Sequence, residues 1–349
     1  MAQKIAVVLF NLGGPDSPSA IQPFLFNLFN DPAIIGAPGP IRWLLAQYIS
    51  AKRAPVAKEI YAKIGGKSPL LDLTRQQAAS LQSVLGQTGQ EVRCFIAMRY
   101  WHPFTDQTVA EVKAWGADRV VLLPLYPQYS MATSGSSLKA WKDVAARMGL
   151  KVPTHEVCCY PSEPGFIAAQ TDLLGKALER ARTVSPNIRV LFSAHGLPKS
   201  VIDKGDPYQS HVEAGAAAIV QALKQPGLDW KVTYQSRVGP TEWIGPYTDD
   251  EIKKAGAEKK ALVVLPIAFV SEHSETLVEL DMEYFHLAKQ AGVPAYVRVP
   301  ALGSHPAFIK GLAGLVQRAM TAKTQPCSQS GGRVCAAVHG QCPNRGDAA

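Results

Sequence analysis

The stretch "PIAFVSEHSETLVELDMEYFH", residues 266 to 286, sets a histidine and a run of carboxylates directly after an apolar, strand-like segment. With a helix starting near Ser271, Glu272, Glu275, Glu279, Glu283 and His286 fall at steps of 3, 4, 4 and 3 residues and stack along one face. Leu277, Leu280, Tyr284 and Leu287 form a neighbouring apolar stripe. Taken alone, this is an amphipathic helix with its acids towards water, and Glu272 and Glu275 also suit a helix N-terminus. Like charges four residues apart nevertheless oppose each other by about 0.2–0.5 kcal/mol per pair, so the row asks for a compensating cation. Carboxylates and imidazole together suit a divalent metal, ferrous iron among others. His195, in "LFSAHGLPKS", closes another apolar run beside Gly196 and Pro198, as a loop-stabilising residue or as a functional one. Two strand ends of one parallel sheet would bring it close to His273 and Glu275.

The elements that must position these residues show an internal repeat. "VRCFIAMRYWHP" followed by "TVAEVKAWGADRVVLLPLYPQYS" can be laid beside "VTYQSRVGPTEW" followed by "TDDEIKKAGAEKKALVVLPIAFVSEHS". Glu111, Gly116 and Asp118 then fall opposite Glu251, Gly256 and Glu258 at one constant offset. "KIAVVLFNLGGP" and "NIRVLFSAHGLP" correspond as well. Apolar β-branched runs alternating with helical patterns predict parallel sheets flanked by helices. The chain therefore reads as α/β, with two similar Rossmann-like domains facing a central cleft. The expected boundaries are 1–185 for the first, with a hydrophobic insertion at 34–70, 186–320 for the second, and a cysteine-containing extension at 321–349. Ligands of such sheets bind outside the carboxyl ends of the strands. Those ends carry Asn11, Arg99 to His102, Tyr126 to Ser130, His195 and Trp243. The insertion "IIGAPGPIRWLLAQYISAKRAP" holds a short amphipathic segment, either packed in the core or exposed as an apolar lip.

Composition narrows the function. The 349 residues are 47% hydrophobic and 18% charged, with a formal charge of +8 carried by scattered Lys and Arg. That distribution suits anionic small molecules or headgroups and lacks the basic stripe of a nucleic-acid footprint. No apolar run is long enough to span a membrane, and the start "MAQKIAVVLFNLGG" has no secretory or transit pattern, so a cytoplasmic protein is expected. The turn "NLGGPDS" lacks G-x-G-x-x-G spacing, and no Walker motif occurs. Six cysteines in such a chain are not expected to form disulfides.

In its motifs the chain resembles the ferrochelatases, from Lys4 to about residue 320. The matching segments are "NLGGPDSP", "NDPAII", "IGGKSPL", "RYWHP", "LPLYPQYS", "FSAHGLPKS", "DPY", "QSRVGPTEW", "PIAFVSEHSETLVELDMEY" and "VPALGSHP". The resemblance implies two Rossmann-like domains and an enzyme that inserts ferrous iron into protoporphyrin IX to give protohaem, the last step of haem synthesis. It implies His195 and Glu275 as the metal-handling pair, with His195 as base or metal ligand, Glu279 and Glu283 as an acidic path, and His273 in support. Asn11, Lys52, Arg53, Tyr61, Ser68, Arg99 and Tyr100 match positions at the porphyrin mouth, and Trp243 one flanking the macrocycle. The segment 34 to 50 matches a lip that approaches the membrane, which favours the exposed reading and peripheral attachment at the inner face. Other readings are a coproporphyrin ferrochelatase or another tetrapyrrole chelatase, and a non-catalytic porphyrin or haem carrier. A monomer and a homodimer are both compatible, and no nucleic-acid partner is expected.

The tail "PCSQSGGRVCAAVHGQCPNRGDAA" adds Cys327, Cys335 and Cys342. Some members of the family hold a two-iron two-sulfur cluster with three tail cysteines and one from the body, which meets the cluster's four-thiolate requirement. The body position used in animal enzymes is Met131 here, leaving Cys158 or Cys159 to supply the fourth, with Cys158 preferred. The alternatives are a disordered tail with unused thiols and a four-thiolate zinc site. Cys94, inside a strand, reads as a buried structural thiol.

Overall fold

In the computed structural model, which describes residues 3–87 and 89–345, the apolar runs form two parallel sheets. In chain order the elements are β1 (Lys4–Asn11), α1 (Ile21–Phe29), α2 (Gly39–Ala62), α3 (Leu70–Gly86), β2 (Glu91–Met98), α4 (Thr105–Trp115), β3 (Arg119–Pro124), α5 (Ser136–Arg147), β4 (Thr154–Cys159) and α6 (Pro164–Arg182). They continue with β5 (Ile188–His195), α7 (Lys199–Asp203), α8 (Tyr208–Leu223), β6 (Asp229–Gln235), α9 (Thr248–Ala257), β7 (Ala261–Pro266), a π-helix (Glu275–Tyr284), α10 (Phe285–Gln290), β8 (Tyr296–Arg298), α11 (Pro306–Thr321) and β9 (Cys327–Ser328). One compact unit holds the described residues through Cys159 with Ala313–Arg333 and the described residues from Pro343; the other holds Tyr160–Leu312 and Val334–Cys342.

The division differs from the expected one. It falls at Cys159/Tyr160 and not near residue 185, because α6 packs on α8, β5, β7 and β8 of the second unit. The tail is no separate extension either. Residues to Arg333 belong to the first unit, where β9 joins the sheet edge beside β4, pairing Val157 with Cys327 and Cys159 with Ser328. The tail positions 346–349 lie outside the described residues.

The duplication persists in the topology. The sheets run β2-β1-β3-β4 and β6-β5-β7-β8, the same order once β9 is set aside. Corresponding turns close alike: Met98 N–H donates to the Pro103 carbonyl at 2.8 Å and Tyr234 N–H to that of Pro246 at 2.9 Å. α4 and α9 each begin two residues later. The central strands β1, β3, β5 and β7 are buried on both faces, as continuous apolar runs require. Ala6, Val8 and Phe10 alternate with Val7 and Leu9 along β1, and pack with Phe95, Val109, Val112 and Trp141 in one core. The glycine pair of "NLGGP" has a local purpose: Gly13 takes φ +84°, and a Cβ on Gly14 would lie 2.4 Å from the Ser68 hydroxyl.

The insertion settles as an exposed helix. α2 buries Ala46, Ser50, Ala54 and Tyr61 and packs on Ile21, Phe24 and Leu25 of α1, the small residues permitting close approach. Its other side shows Ile41, Trp43, Leu44, Leu45, Tyr48 and Val56 to solvent, Leu44 and Tyr48 at more than 60% exposure. Of the two readings, core packing and exposed lip, the second is the one observed.

At the amino ends of the second sheet, Arg189 pairs with Asp229 and Glu258, while the buried Glu251 accepts from Lys231 at 2.8 Å and Lys254 at 2.7 Å. Burial alone would raise the Glu251 carboxyl, but the two lysines hold it below its ordinary value. A depressed carboxyl contributes stability that is present above its unfolded value of about 4.3 and is lost as pH falls through the folded one. Glu251→Gln should therefore lower the unfolding free energy at pH 7 by about 1–3 kcal/mol. The gap from the parent should close on acidification, and thermal melts showing it unchanged at low pH would refute this account.

Candidate active site

The second unit brings the chemistry-bearing residues to the carboxyl ends of β5, β6 and β7. β5 ends at His195, β6 at Gln235, and the loop after β7 leads through His273 into the π-helix. That helix closes i→i+5 rings, one residue larger than α-helical ones, so residues four and five apart stack. Glu275 and Glu279 keep a common face, and the row ends there. Glu272 precedes the helix and accepts from Arg298 Nη1 at 2.5 Å and from Ala301 N–H at 2.9 Å, so it is structural. Glu283 and His286 are exposed, the latter 2.9 Å from Gln290 Nε2.

His195 Nδ1 lies 2.8 Å from Glu275 Oε2. Since a carboxylate only accepts, Nδ1 carries the proton and Nε2 is left to accept one or to bind a metal. Burial works against charging His195, yet the neighbouring Glu275 and Glu279 charges raise its pKa. Burial also opposes ionisation of Glu275, and the adjacent His195 outweighs it, lowering the carboxyl to about 2. Glu279 moves the other way, raised by burial and by Glu275. The two carboxylates are thus unequal: Glu275 is the ionised partner and Glu279 the one that more readily keeps a proton.

Ser236 ties them together. It sits at φ +64°, a conformation rare for a residue with a Cβ. Its hydroxyl reaches Glu279 Oε2 at 2.5 Å and Glu275 Oε2 at 3.4 Å, and its N–H donates to Glu279 Oε1 at 3.0 Å. Gln235 Nε2 and the Tyr284 hydroxyl complete the set on Glu279 at 2.9 and 3.2 Å. A cavity of about 230 Å³ opens beside this carboxylate, lined by Gln235, Ser236, Arg237, Asp249 and Tyr284 among others. It has room for several waters at about 30 Å³ each. His273 Nδ1 accepts from Glu275 N–H at 3.0 Å, and its ring lies 4.4 Å from that of Phe269. The Trp243 ring stands edge-on to His195 at 6.5 Å between centroids. Ser236, Gln235 and Tyr284 were missed as site residues by sequence reasoning. "QSRVGPTEW" and "DMEY" contain them, but only tertiary pairing selects them.

In the first unit the expected mouth residues divide into two groups. Lys52 and Arg53 are exposed on α2, their cations 5.9 and 5.8 Å from the Tyr48 and Phe29 rings. Arg99, partly exposed, pairs with the buried Asp31 at 2.7 Å. Tyr100 is 1% exposed, and its hydroxyl donates to the same Asp31 at 2.8 Å. This withdraws Tyr100 from any ligand surface and makes it scaffold. Asn11, Tyr61 and Ser68 are also buried, Asn11 donating to Thr74 Oγ1 and accepting from Leu12 N–H. Asp31, in "NDPAII", is the organising residue that sequence reasoning left unassigned.

Five of the six cysteines are buried and Cys94 is partly so, burial pushing its thiol up to about 12. Cys158 and Cys159 Sγ lie 3.5 Å apart in the first unit. Burial, then the neighbouring Cys158, pushes the Cys327 thiol up to about 12. In the second unit Cys335 Sγ is 3.2 Å from His211 Nε2, and Cys342 is buried. Among the described residues, no group of three or more His, Cys, Asp or Glu side chains is placed to hold a metal ion.

Comparison with known proteins meets this geometry. A family model described as ferrochelatase matches residues 4–320. The ferrochelatase of Caulobacter vibrioides (strain NA1000 / CB15N) is 54% identical over 347 residues, covering 99% of each chain. That of Hyphomonas neptunium is 53% identical over 349 residues, covering 98% of this chain and 95% of its own. Among solved structures, SirB from Bacillus subtilis with Fe3+ aligns with a TM-score of 0.52 at 11% identity, over 91% of this chain and 96% of that one. At that identity the likeness establishes the chelatase fold alone.

Proposed function

The chain belongs to the ferrochelatase family and is a metal-chelating lyase, and on that premise we propose that it inserts Fe2+ into protoporphyrin IX, releasing two protons, as the last step of haem synthesis. The observation that carries the reading is the His195–Glu275 pair at a strand end, with Nδ1 held by the carboxylate and Nε2 open. Two pyrrole N–H protons must leave as the divalent ion enters a flat ring, and an imidazole with Nδ1 held by a carboxylate and Nε2 facing the ring suits their removal. Glu275, ionised, faces the incoming charge, and Trp243 flanks the ring. Ser236 offers a hydroxyl between Glu275 and Glu279, a path for a proton or an exchanging water, and the adjacent cavity supports a route for a hydrated ion past Glu279 towards Glu283. Glu279 accepts four hydrogen bonds, which suits a fixed post on that route better than a swinging ligand. Lys52 and Arg53 would meet ring propionates.

The exposed apolar side of α2, with Lys52 and Arg53 on the same helix, supports peripheral contact with an anionic membrane surface from the cytoplasmic side. No described helix is long and apolar enough to cross a membrane. An anaerobic competition between protoporphyrin IX and coproporphyrin III tests the substrate: we expect protoporphyrin to be metallated preferentially, whereas preference for coproporphyrin would move the chain to the alternative activity.

The finer cofactor reading is a two-iron two-sulfur cluster on Cys158, Cys327, Cys335 and Cys342. What supports it is the chemistry of the donors: all four thiols are buried, three of them in a tail otherwise made mostly of small and polar residues. Cys158 is assigned as the body thiol, ahead of its neighbour Cys159, whose Sγ lies 3.5 Å away. Such a centre would supply tail ordering, since ligand deprotonation and metal binding are coupled to folding. Anaerobically purified protein is expected to be coloured and to contain labile sulfide, with both lost in Cys327→Ser; a colourless, iron-free parent would reject the cluster.

A further inference from the structure

The segment "DPY" (206–208) has no part in the reaction described above, yet the structure puts it between the tail and the reacting histidine. Asp206 is fully buried, and its Oδ1 accepts from Tyr208 N–H at 3.0 Å, fixing the first turn of α8. The Tyr208 hydroxyl donates to the backbone carbonyl of His195 at 3.0 Å. Three residues further along α8, His211 is 4% exposed and meets the Cys335 thiol at 3.2 Å. The tail also reaches the residue before this turn. Gly205, at φ +91°, accepts from Gln341 N–H at 3.2 Å, and a Cβ there would lie 2.8 Å from Gly340 N. All of these residues belong to the second unit.

We propose that Tyr208 is a positioning residue for His195, and that the tail segment Val334–Cys342, seated on Gly205 and His211, sets its register through the first turn of α8. The physical basis is the reach of small displacements. His195 holds Glu275 by one hydrogen bond from Nδ1, and a shift on the order of 1 Å in reacting groups can cost about a hundredfold in rate. A hydroxyl on the last carbonyl of β5 limits that shift, and a packed α8 carries the tail's position to it. The inference rests on the assignment of His195 as the reacting histidine, and it holds whether or not Cys335 also ligates a cluster.

A double-mutant cycle on the full-length protein tests it, reading the single-turnover rate of Fe2+ insertion into bound protoporphyrin and the porphyrin KM. Tyr208→Phe removes only the hydroxyl and should slow insertion about three- to tenfold, with KM changed less than about twofold. Gly205→Ala, which touches no reacting group or thiol, should slow insertion comparably. Because both act on the same carbonyl, the double variant should be no slower than the slower single one. His211→Ala should fall with Gly205→Ala, and His211→Gln, which keeps a donor towards Cys335, should recover most of the rate. Should Gly205→Ala fail to fold, His211→Ala takes its place in the cycle. Losses that multiply, or that appear only in KM, would overturn the proposal. The His195 assignment fails separately, if His195→Ala keeps the parent rate.

Discussion

His195→Ala should slow iron insertion by about 10²–10⁴-fold, the range spanned by a lost general acid or base, while porphyrin binding changes little. The imidazole closes strand β5, and Glu275 fixes it by the 2.8 Å contact to Nδ1. Removing the ring takes away the proposed acceptor for pyrrole protons and leaves the ionised Glu275 with the long 3.4 Å contact from the Ser236 hydroxyl in its place. The proposed function assigns ring affinity to other groups, Trp243 among them, so quenching of porphyrin fluorescence should report an intact ring site. Steady-state turnover near that of the parent would end the assignment. A variant that loses ring binding to the same extent would turn His195 from a reacting residue into a binding one.

The second large effect is on stability. Asp31→Ala should destabilise the protein by about 3–5 kcal/mol, the range for breaking one partner out of a buried ion pair. Asp31 is 4% exposed, and its carboxylate accepts from Arg99 at 2.7 Å, the Tyr100 hydroxyl at 2.8 Å, Ser136 Oγ at 2.5 Å and Ala33 N–H at 2.8 Å. Removing it strands a part-buried guanidinium and a buried phenol together. Replacing Arg99 and Asp31 at once by apolar residues should cost less than Asp31→Ala alone, because no charge is then left unpaired. Urea and thermal unfolding check both statements, and a loss below about 1 kcal/mol for Asp31→Ala would contradict the assigned role.

Much of the fold is legible in the residues, and the reasons are physical. Continuous apolar runs such as 261–266 mark strands buried on both faces, and their polar turns mark the ends where chemistry gathers. The repeat predicted equivalent sheets, and the orders β2-β1-β3-β4 and β6-β5-β7-β8 bear this out. The pairing of His195 with Glu275 followed from placing two strand ends side by side. The acidic row was legible only in part. An α-helical period aligns Glu272 to His286, whereas the π-helix keeps Glu275 with Glu279 and leaves Glu272 to Arg298. Nothing local in "ETLVELDMEY" announces that wider winding. Asp31, Ser236 and Tyr208 were hidden for a related reason: each acts on a residue far away in sequence, Asp31 on Arg99 and Tyr100, Ser236 on the two glutamates, and Tyr208 on the carbonyl of His195. Tyr100 misled in the opposite direction, since a tyrosine at a strand end beside Arg99 suggests a ligand contact, and here its hydroxyl serves Asp31.

If the chain works as proposed, it exchanges one ferrous ion for two pyrrole protons, turnover after turnover. The decisive experiment mixes the full-length protein, without oxygen and in weak buffer, with excess protoporphyrin IX and Fe2+, and follows protohaem and proton release together. Many haems should form per chain, with two protons released for each. Porphyrin bound at one per chain with haem appearing no faster than without protein would contradict it, and would leave a carrier in place of an enzyme.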